Sequence, residues 1–313
     1  MDQLSTDISN LAVANIEDGM PATEYTVASR SMWPYHQSRC TVKLTYEAQD
    51  TMFAIRTSPG KGLGIFALRQ IPRGTCIFSE QPLVALPAGA KGHEDVHKEF
   101  EKLSALQLQH FGSLACNMGV IHPGVEHVVR SRLAHEGKRG AELDEATGEE
   151  LKLRAIFQTN SVMMGSSGEY GIGVFPTYSR LNHSCIPNVH CSFNPKLGQE
   201  TIFAVRSIEK GEEILTSYIH LLRTRGQRAA ELKQWGINCD CKACKDLQGS
   251  ERRRKRMFNI DQAFAMYEKN LQSMAAFSRI KLPRSDGEAV ALGEELIELL
   301  KEEGVVGFDL ANA

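Results

Sequence analysis

The chain has 313 residues, with 36 basic against 38 acidic side chains and a net charge of −2. That length can bury one or two cores, and the balanced charge excludes a global basic field that would recruit nucleic acid or an anionic membrane. No apolar run approaches a membrane span, and the polar start MDQLSTDISN lacks the layout of a secretory signal, so the eight cysteines are expected as reduced thiols, free to bind metal.

Residues 1–51 read as an N-terminal lead-in without a clear hydrophobic period over its first part. From 52 to 86, the β-rich pieces MFAIRT, GIFAL, CIFSE and LVAL are separated by Pro59-Gly60, Gly62, Pro72-Arg73-Gly74 and Pro82. Short strands with dense turn signals predict small sheets. The texture becomes helical over 93–165, where Val96, Phe100 and Leu103 recur at steps of four and three. Inside that block the Gly-rich, polar stretch 137–150 reads as an exposed loop. β texture returns over 170–220, with Pro176, Pro187 and Pro195 as turns. The two β blocks are therefore halves of one α+β domain, split by a helical insert.

A cysteine segment follows at 221–245, and then a helical region at 251–313. Met257, Ile260, Phe264, Tyr267, Leu271 and Met274 share one side of a helix. A last helix starts at Ser285 with Glu288 three residues on, and stops at Gly304. The run RRRKR at 252–256 reads as a solvated helix face or a nuclear-import signal.

Cys239, Cys241 and Cys244 read C-x-C-x2-C. Three thiols so close are a source of tetrahedral zinc ligands, and a closed structural site needs a fourth. Cys185, Cys191, His183 and His220 are the candidates on residue type. Three other features are weaker alone. SPGKGLGIF (58–66) is a Gly-rich loop beside a strand, without the spacing of a dinucleotide or P-loop phosphate site. RLNHSCIPN (180–188) packs Asn, His, Ser and Cys after an apolar strand, and Tyr218 closes the strand-like run EEILTSY.

In their order along the chain, these features resemble the SET-domain lysine methyltransferases, and within them the SET-and-MYND group. NHSC followed by Pro-Asn, with C-x-C-x2-C downstream, is a specific combination covering about 52–86 and 155–245. The resemblance implies a SET fold of small sheets with a pseudoknot over 52–245, a zinc-binding post-SET segment, and a helical tail. It implies an S-adenosylmethionine pocket made by Lys61, Gly62, Leu63, Gly64, Asn160, Asn182 and His183. Tyr218 takes the place of the catalytic tyrosine at its edge. It implies one structural zinc held by Cys185, Cys239, Cys241 and Cys244. The implied activity is methylation of lysine in a protein, histone or non-histone, by a monomer in nucleus or cytoplasm that does not itself bind nucleic acid or membrane. Two residues depart from the family pattern. His220 stands where Asp is usual, and Ile237 where an aromatic is common, with Trp235 nearby. They motivate the alternative of a catalytically weak or inactive SET-fold protein-binding module. No MYND-type Cys/His cluster lies between the β halves.

Overall fold

A computed structural model describes residues 52–90, 93–269 and 280–306. The lead-in 1–51, Cys40, and the stripe positions Leu271 and Met274 lie outside the described residues. Among the described residues, ten short strands form three small sheets. In the first, β1 (Phe53–Ser58) and β2 (Gly62–Ala67) make a hairpin in the register Phe53↔Ala67 to Ser58↔Gly62. Its turn runs through Pro59, Gly60 and Lys61. Gly60 and Gly62 hold φ of 73° and 79° there, a left-handed region that favours glycine. β2 then pairs antiparallel with β10 (Glu213–Thr216), and β10 pairs in parallel with the two-residue β7 (Asn182–His183). This last pairing needs a crossover, because parallel neighbours cannot be joined by a tight turn. The loop after β7 stays on β10, with Ser184 N–H donating to the Thr216 carbonyl and Asn188 N–H to that of Leu215.

The second sheet has the order β3 (Cys76–Glu80), β9 (Gln199–Ala204), β8 (Val189–Asn194). Alternation is clear in β9, where Glu200, Ile202 and Ala204 are buried. The third has the order β4 (Val84–Leu86), β6 (Ile172–Val174), β5 (Val162–Met163). β5 turns the end of the expected 93–165 insert into sheet.

The insert is four helices: α1 (His93–Glu101), α2 (Ala105–Gly112), α3 (Pro123–His135) and α4 (Gly140–Asn160). Val96 and Phe100 pack with Phe111, Ile156 and Phe157 against Val84, Leu86 and Val174 of the third sheet. Each such side chain contributes about 1.5–3 kcal/mol by leaving water. The expected loop at 137–150 is not one: from Gly140 on it is the first half of α4. Leu143, Thr147, Glu150, Leu151 and Arg154 are buried along one side, and Leu143 and Leu151 pack on Val125, Val129 and Leu133 of α3. Tertiary packing overrides the weak local propensity of an acidic segment with two glycines.

Beyond β10 come α5 (Arg225–Leu232), the single turn α6 (Lys242–Lys245), α7 (Gly249–Glu268) and α8 (Asp286–Glu303). The expected caps of α8 are present: Ser285 Oγ accepts from Glu288 N–H, and Gly304 closes the helix at φ 73°. Met257 and Ile260 of α7 meet Leu296 and Leu300 of α8, and both helices cover Leu221 and Leu222. Tyr267 instead is partly exposed at the end of the stripe.

The basic run is mostly committed to structure. Arg253 and Arg254 bind Glu303, and Arg256 binds Glu295, while Arg252 and Lys255 face solvent. Arg254 is fully buried and also donates to the carbonyls of Leu221 and Cys185. It thereby links the tail to the segment after Tyr218 and to the cysteine corner.

Candidate active site

The central position of β10 gathers the residues singled out in the sequence. On one side of it lies the Gly loop. Asn182 Nδ2 donates to the Leu63 carbonyl at 3.0 Å and to Glu213 Oε1 at 2.7 Å, and Lys61 Nζ meets Glu213 Oε2 at 3.1 Å. Gly64 is what permits this closeness. A Cβ there would stand 2.5 Å from Glu213 Oε1 and 2.8 Å from Asn182 Nδ2. A Cβ on Gly62 would meet nothing within 4 Å, so the loop backbone is open to a ligand on that side. Glu213 was missed in the sequence, where only Tyr218 was singled out from the run EEILTSY. Its role appears only through the β2–β10 register.

On the other side lies an aromatic group. Tyr218 O–H donates to the Leu181 carbonyl at 2.6 Å. Its ring sits 5.5 Å from that of His183 and 5.5 Å from that of Trp235. Burial, with Glu213 nearby, raises the Tyr218 phenol to about 12. Trp235 Nε1–H donates to the Thr159 carbonyl at 3.2 Å, which fixes its ring beside the end of α4. Asn160, the next residue, spends its amide on the carbonyls of Ala115 and Ile156 at 2.7 Å each, and none of its hydrogen bonds reaches the Gly loop or Asn182.

His183 joins this group to the cysteines. Its Nδ1 accepts the Tyr218 backbone N–H at 3.1 Å, which leaves the proton on Nε2, 3.3 Å from Cys185 Sγ. Burial lowers its pKa to about 4, so the ring is neutral. Of the four candidates for the fourth ligand, geometry gathers Cys185. The sulfurs of Cys185, Cys239, Cys241 and Cys244 lie within 4.8 Å of one another, the metal-like cluster among the described residues. Cys185 Sγ is 3.9 Å from Cys239 Sγ and 3.6 Å from Cys244 Sγ. Four sulfurs at about 2.3 Å from one zinc stand about 3.8 Å apart in a tetrahedron, so the set fits that ion.

A charge argument agrees. Zinc with four thiolates carries two net negative charges, and the buried Arg228 lies alongside with Nη2 3.8 Å from Cys244 Sγ. Its Nε has no hydrogen-bond partner, as expected for a cation placed for charge more than for hydrogen bonding. Cys191 is elsewhere, with Sγ 3.4 Å from Thr216 Oγ1. His220 is exposed, and its Nδ1 accepts the Leu222 N–H at 3.3 Å, so it holds a turn.

With this geometry in hand, a family model described as the SET domain matches residues 62–219, half of the chain. The chain belongs to the SET-domain family. Among curated relatives, it is 30% identical over 231 residues to histone-lysine N-methyltransferase set5 of Schizosaccharomyces pombe, covering 70% of this chain and 60% of that one. It is 43% identical over 93 residues to human histone-lysine N-methyltransferase SMYD3, 29% of this chain and 21% of the relative. It is 32% identical over 148 residues to N-lysine methyltransferase SMYD2-B of Danio rerio, 45% and 33% respectively. The chain thus spans 60% or less of the length of these relatives. The described residues hold one cysteine cluster with metal-ligand spacing, which joins Cys185 inside the matched segment to three cysteines beyond it, and no helix among them is long and apolar enough to cross a membrane.

Proposed function

We propose that this SET domain transfers a methyl group from S-adenosylmethionine to the side-chain nitrogen of lysine in a protein, histone or non-histone. The observation that carries the reading is the meeting at β10 of two different half-sites. One is the open backbone of Lys61–Gly64 with Asn182 and Glu213, which suits a polar, charged cofactor. The other is the Tyr218–Trp235 aromatic wall, which suits the stem of a lysine. His183 steadies the boundary between them through the Tyr218 backbone. One zinc on Cys185, Cys239, Cys241 and Cys244 would tie the post-SET segment to the loop after β7, and so contributes folding energy.

S-adenosylmethionine supplies an electrophilic methyl on a sulfonium. The chain must align the amine with that methyl, exclude water, and let the ammonium lose a proton. Tyr218 does not take that proton from lysine by ionising, because its phenol stays protonated far above neutral pH and its hydrogen is held by Leu181. Its oxygen lone pairs are what it offers the site, to orient the amine. Trp235 and Tyr218 remove water and favour the neutral amine.

The alternative of an inactive binding module drew on His220 and Ile237. His220 lies on the surface holding a turn, and Trp235 supplies a ring beside Tyr218, which removes most of its basis. The net charge and the ion-paired 252–256 run also favour a protein over a nucleic-acid partner.

The test is incubation with tritiated S-adenosylmethionine, core histones and cell-extract proteins. Label on lysine is expected. Tyr218→Phe should keep zinc and cofactor binding and lower kcat about 10²–10³-fold, the usual cost of one oriented group in a transition state. A wild-type chain that binds no cofactor overturns the reading.

A further inference from the structure

The Asn182 side chain carries one donor group and one acceptor, and only the donor is used. Both Nδ2 contacts run to groups that can only accept, the Leu63 carbonyl at 3.0 Å and Glu213 Oε1 at 2.7 Å. Turned the other way, the amide would set its own oxygen against a carbonyl and a carboxylate, with no hydrogen between them. Its partners therefore fix which end faces them. Oδ1 is left over. Asn182 is half-buried, and Oδ1 accepts no hydrogen bond among the described residues yet is not sealed in the interior.

Glu213 is the member of this arrangement that the sheet does not need. It stands opposite Phe66, where β10 and β2 are already paired through the backbone. Its carboxylate is 14% exposed, and both oxygens are engaged, Oε1 by Asn182 and Oε2 by Lys61 Nζ at 3.1 Å. The ion pair offsets part of the cost of drawing that charge inward. Room for the carboxylate is made at Gly64, where a Cβ would fall 2.5 Å from Oε1. Glycine inside a strand weakens it, so this position trades hairpin stability for the approach of Glu213 to Asn182.

Three elements thus act in line: Lys61 in the hairpin turn holds Glu213 on β10, and Glu213 holds Asn182 on β7. The line ends in a free carbonyl oxygen with a carboxylate behind it, which suits a donor that carries positive charge. The α-ammonium of S-adenosylmethionine is such a donor. Its sulfonium is charged but has no N–H, and its adenine amine donates but is neutral. We propose that Glu213 locks the Asn182 amide with its oxygen outward, and so gives the pocket its selectivity for a ligand with a free α-amine. The inference rests on the methyl-transfer reading. Glu213 is a positioning residue that acts through Asn182. The rival is a direct ion pair between Glu213 and the ligand, with Lys61 displaced. Glutamine separates the two, because it keeps an accepting oxygen and loses the charge.

The experiment is calorimetric titration with S-adenosylhomocysteine and with its deamino analogue, in which hydrogen replaces the α-amino group. The quantity read is the ratio of the two affinities. A Lys61 freed by substitution acts on the carboxylate that both ligands share, so it cancels in that ratio. Wild type should prefer S-adenosylhomocysteine by about 10–100-fold, the scale of a hydrogen bond to a charged group. Glu213→Gln should keep most of that preference. Glu213→Ala should lose about 10-fold or more of it, by binding S-adenosylhomocysteine more weakly while the analogue binds as before. In an Asn182→Ala background, Glu213→Ala should leave the ratio unchanged, because the two residues work as one unit.

A wild type that binds both ligands equally overturns the proposal, as does a Glu213→Ala ratio equal to that of wild type. A Glu213→Gln ratio that matches Glu213→Ala also overturns it, in favour of the direct ion pair. All three outcomes leave the methyl-transfer reading intact, since label on lysine decides that separately. A wild type that binds neither ligand overturns the reading and the proposal with it. If Glu213→Ala does not fold, as zinc content and unfolding midpoint would show, Glu213→Met, of similar length and without an oxygen acceptor, is held to the same outcomes.

Discussion

The helical insert and the helical tail look alike in the sequence, as blocks of amphipathic pattern on either side of a β half. They attach to the domain by different physics. The insert packs through apolar side chains, with Phe100, Phe111 and Phe157 at its centre, and its buried Glu150 pairs with Arg154 of the same helix, Arg132 of α3 and His97 of α1. The tail packs through apolar side chains too, but Arg254 extends from α7 to the carbonyls of Leu221 and Cys185, one beyond Tyr218 and the other on the cysteine corner. The difference teaches that a helix can be scaffold or part of a site depending on one buried polar side chain.

Arg254→Met should break the comparison most strongly. It takes one of two arginines from Glu303, which is 3% exposed and keeps Arg253, and removes the Arg254 donors from two buried backbone carbonyls. Removing one partner of a buried pair costs about 3–5 kcal/mol, read from urea unfolding, and a chelator should then strip zinc faster. Leu151→Ala in the insert should cost about 2–5 kcal/mol through lost burial and a cavity, yet leave the rate of zinc release unchanged. Equal zinc release in both variants would show that tail and insert do not differ as described.

Glu200, buried on β9 with no hydrogen-bond partner for its Oε2, sharpens the contrast from the scaffold side, by pH. Its folded pKa, about 7, lies above the ordinary 4.5. The native state therefore holds more protons than the unfolded chain between those values, and stability falls as pH rises across that window. The loss reaches about 3 kcal/mol above pH 7. Glu200→Gln should flatten the curve, with a higher unfolding midpoint than wild type at pH 8 and a similar one near pH 4.5. The smallest effect belongs to Gly148→Ala. Gly148 is exposed in mid-helix, and a Cβ there meets nothing within 4 Å. The variant should gain about 0.5–1 kcal/mol without changing methyl transfer.

Much of the fold was legible because its signals are local. Prolines and glycines bound β1 to β4 where expected, and Ser285 and Gly304 frame α8. The cysteine triplet was legible for the same reason. The start of α4 was not, because glycines and acids in 140–150 mask a stripe that has meaning only against α3. Cys185 could be told from Cys191, His183 and His220 only by family resemblance, since the choice depends on a crossover between β7 and β10. Glu213 and Glu200 stayed hidden because strand register selects them, and Trp235, noted only as lying near Ile237, is placed by the end of α4. Asn160 shows the reverse: a motif position whose amide is turned to a loop carbonyl, Ala115, and a helix carbonyl, Ile156.

Arg254 has a further consequence for the order of events at the ribosome. Domains form as the chain emerges, amino end first. The Gly loop, Asn182 and Tyr218 are all synthesised before Cys239, and Glu303, the carboxylate partner of Arg254, comes last of all. The carbonyls at Cys185 and Leu221 therefore wait for an arginine whose own charge is balanced only when α8 has docked. Until then, the early-made β halves have their strands but not their tether, and a chain stalled or truncated before α8 would expose a cysteine corner ready to oxidise or to take the wrong metal.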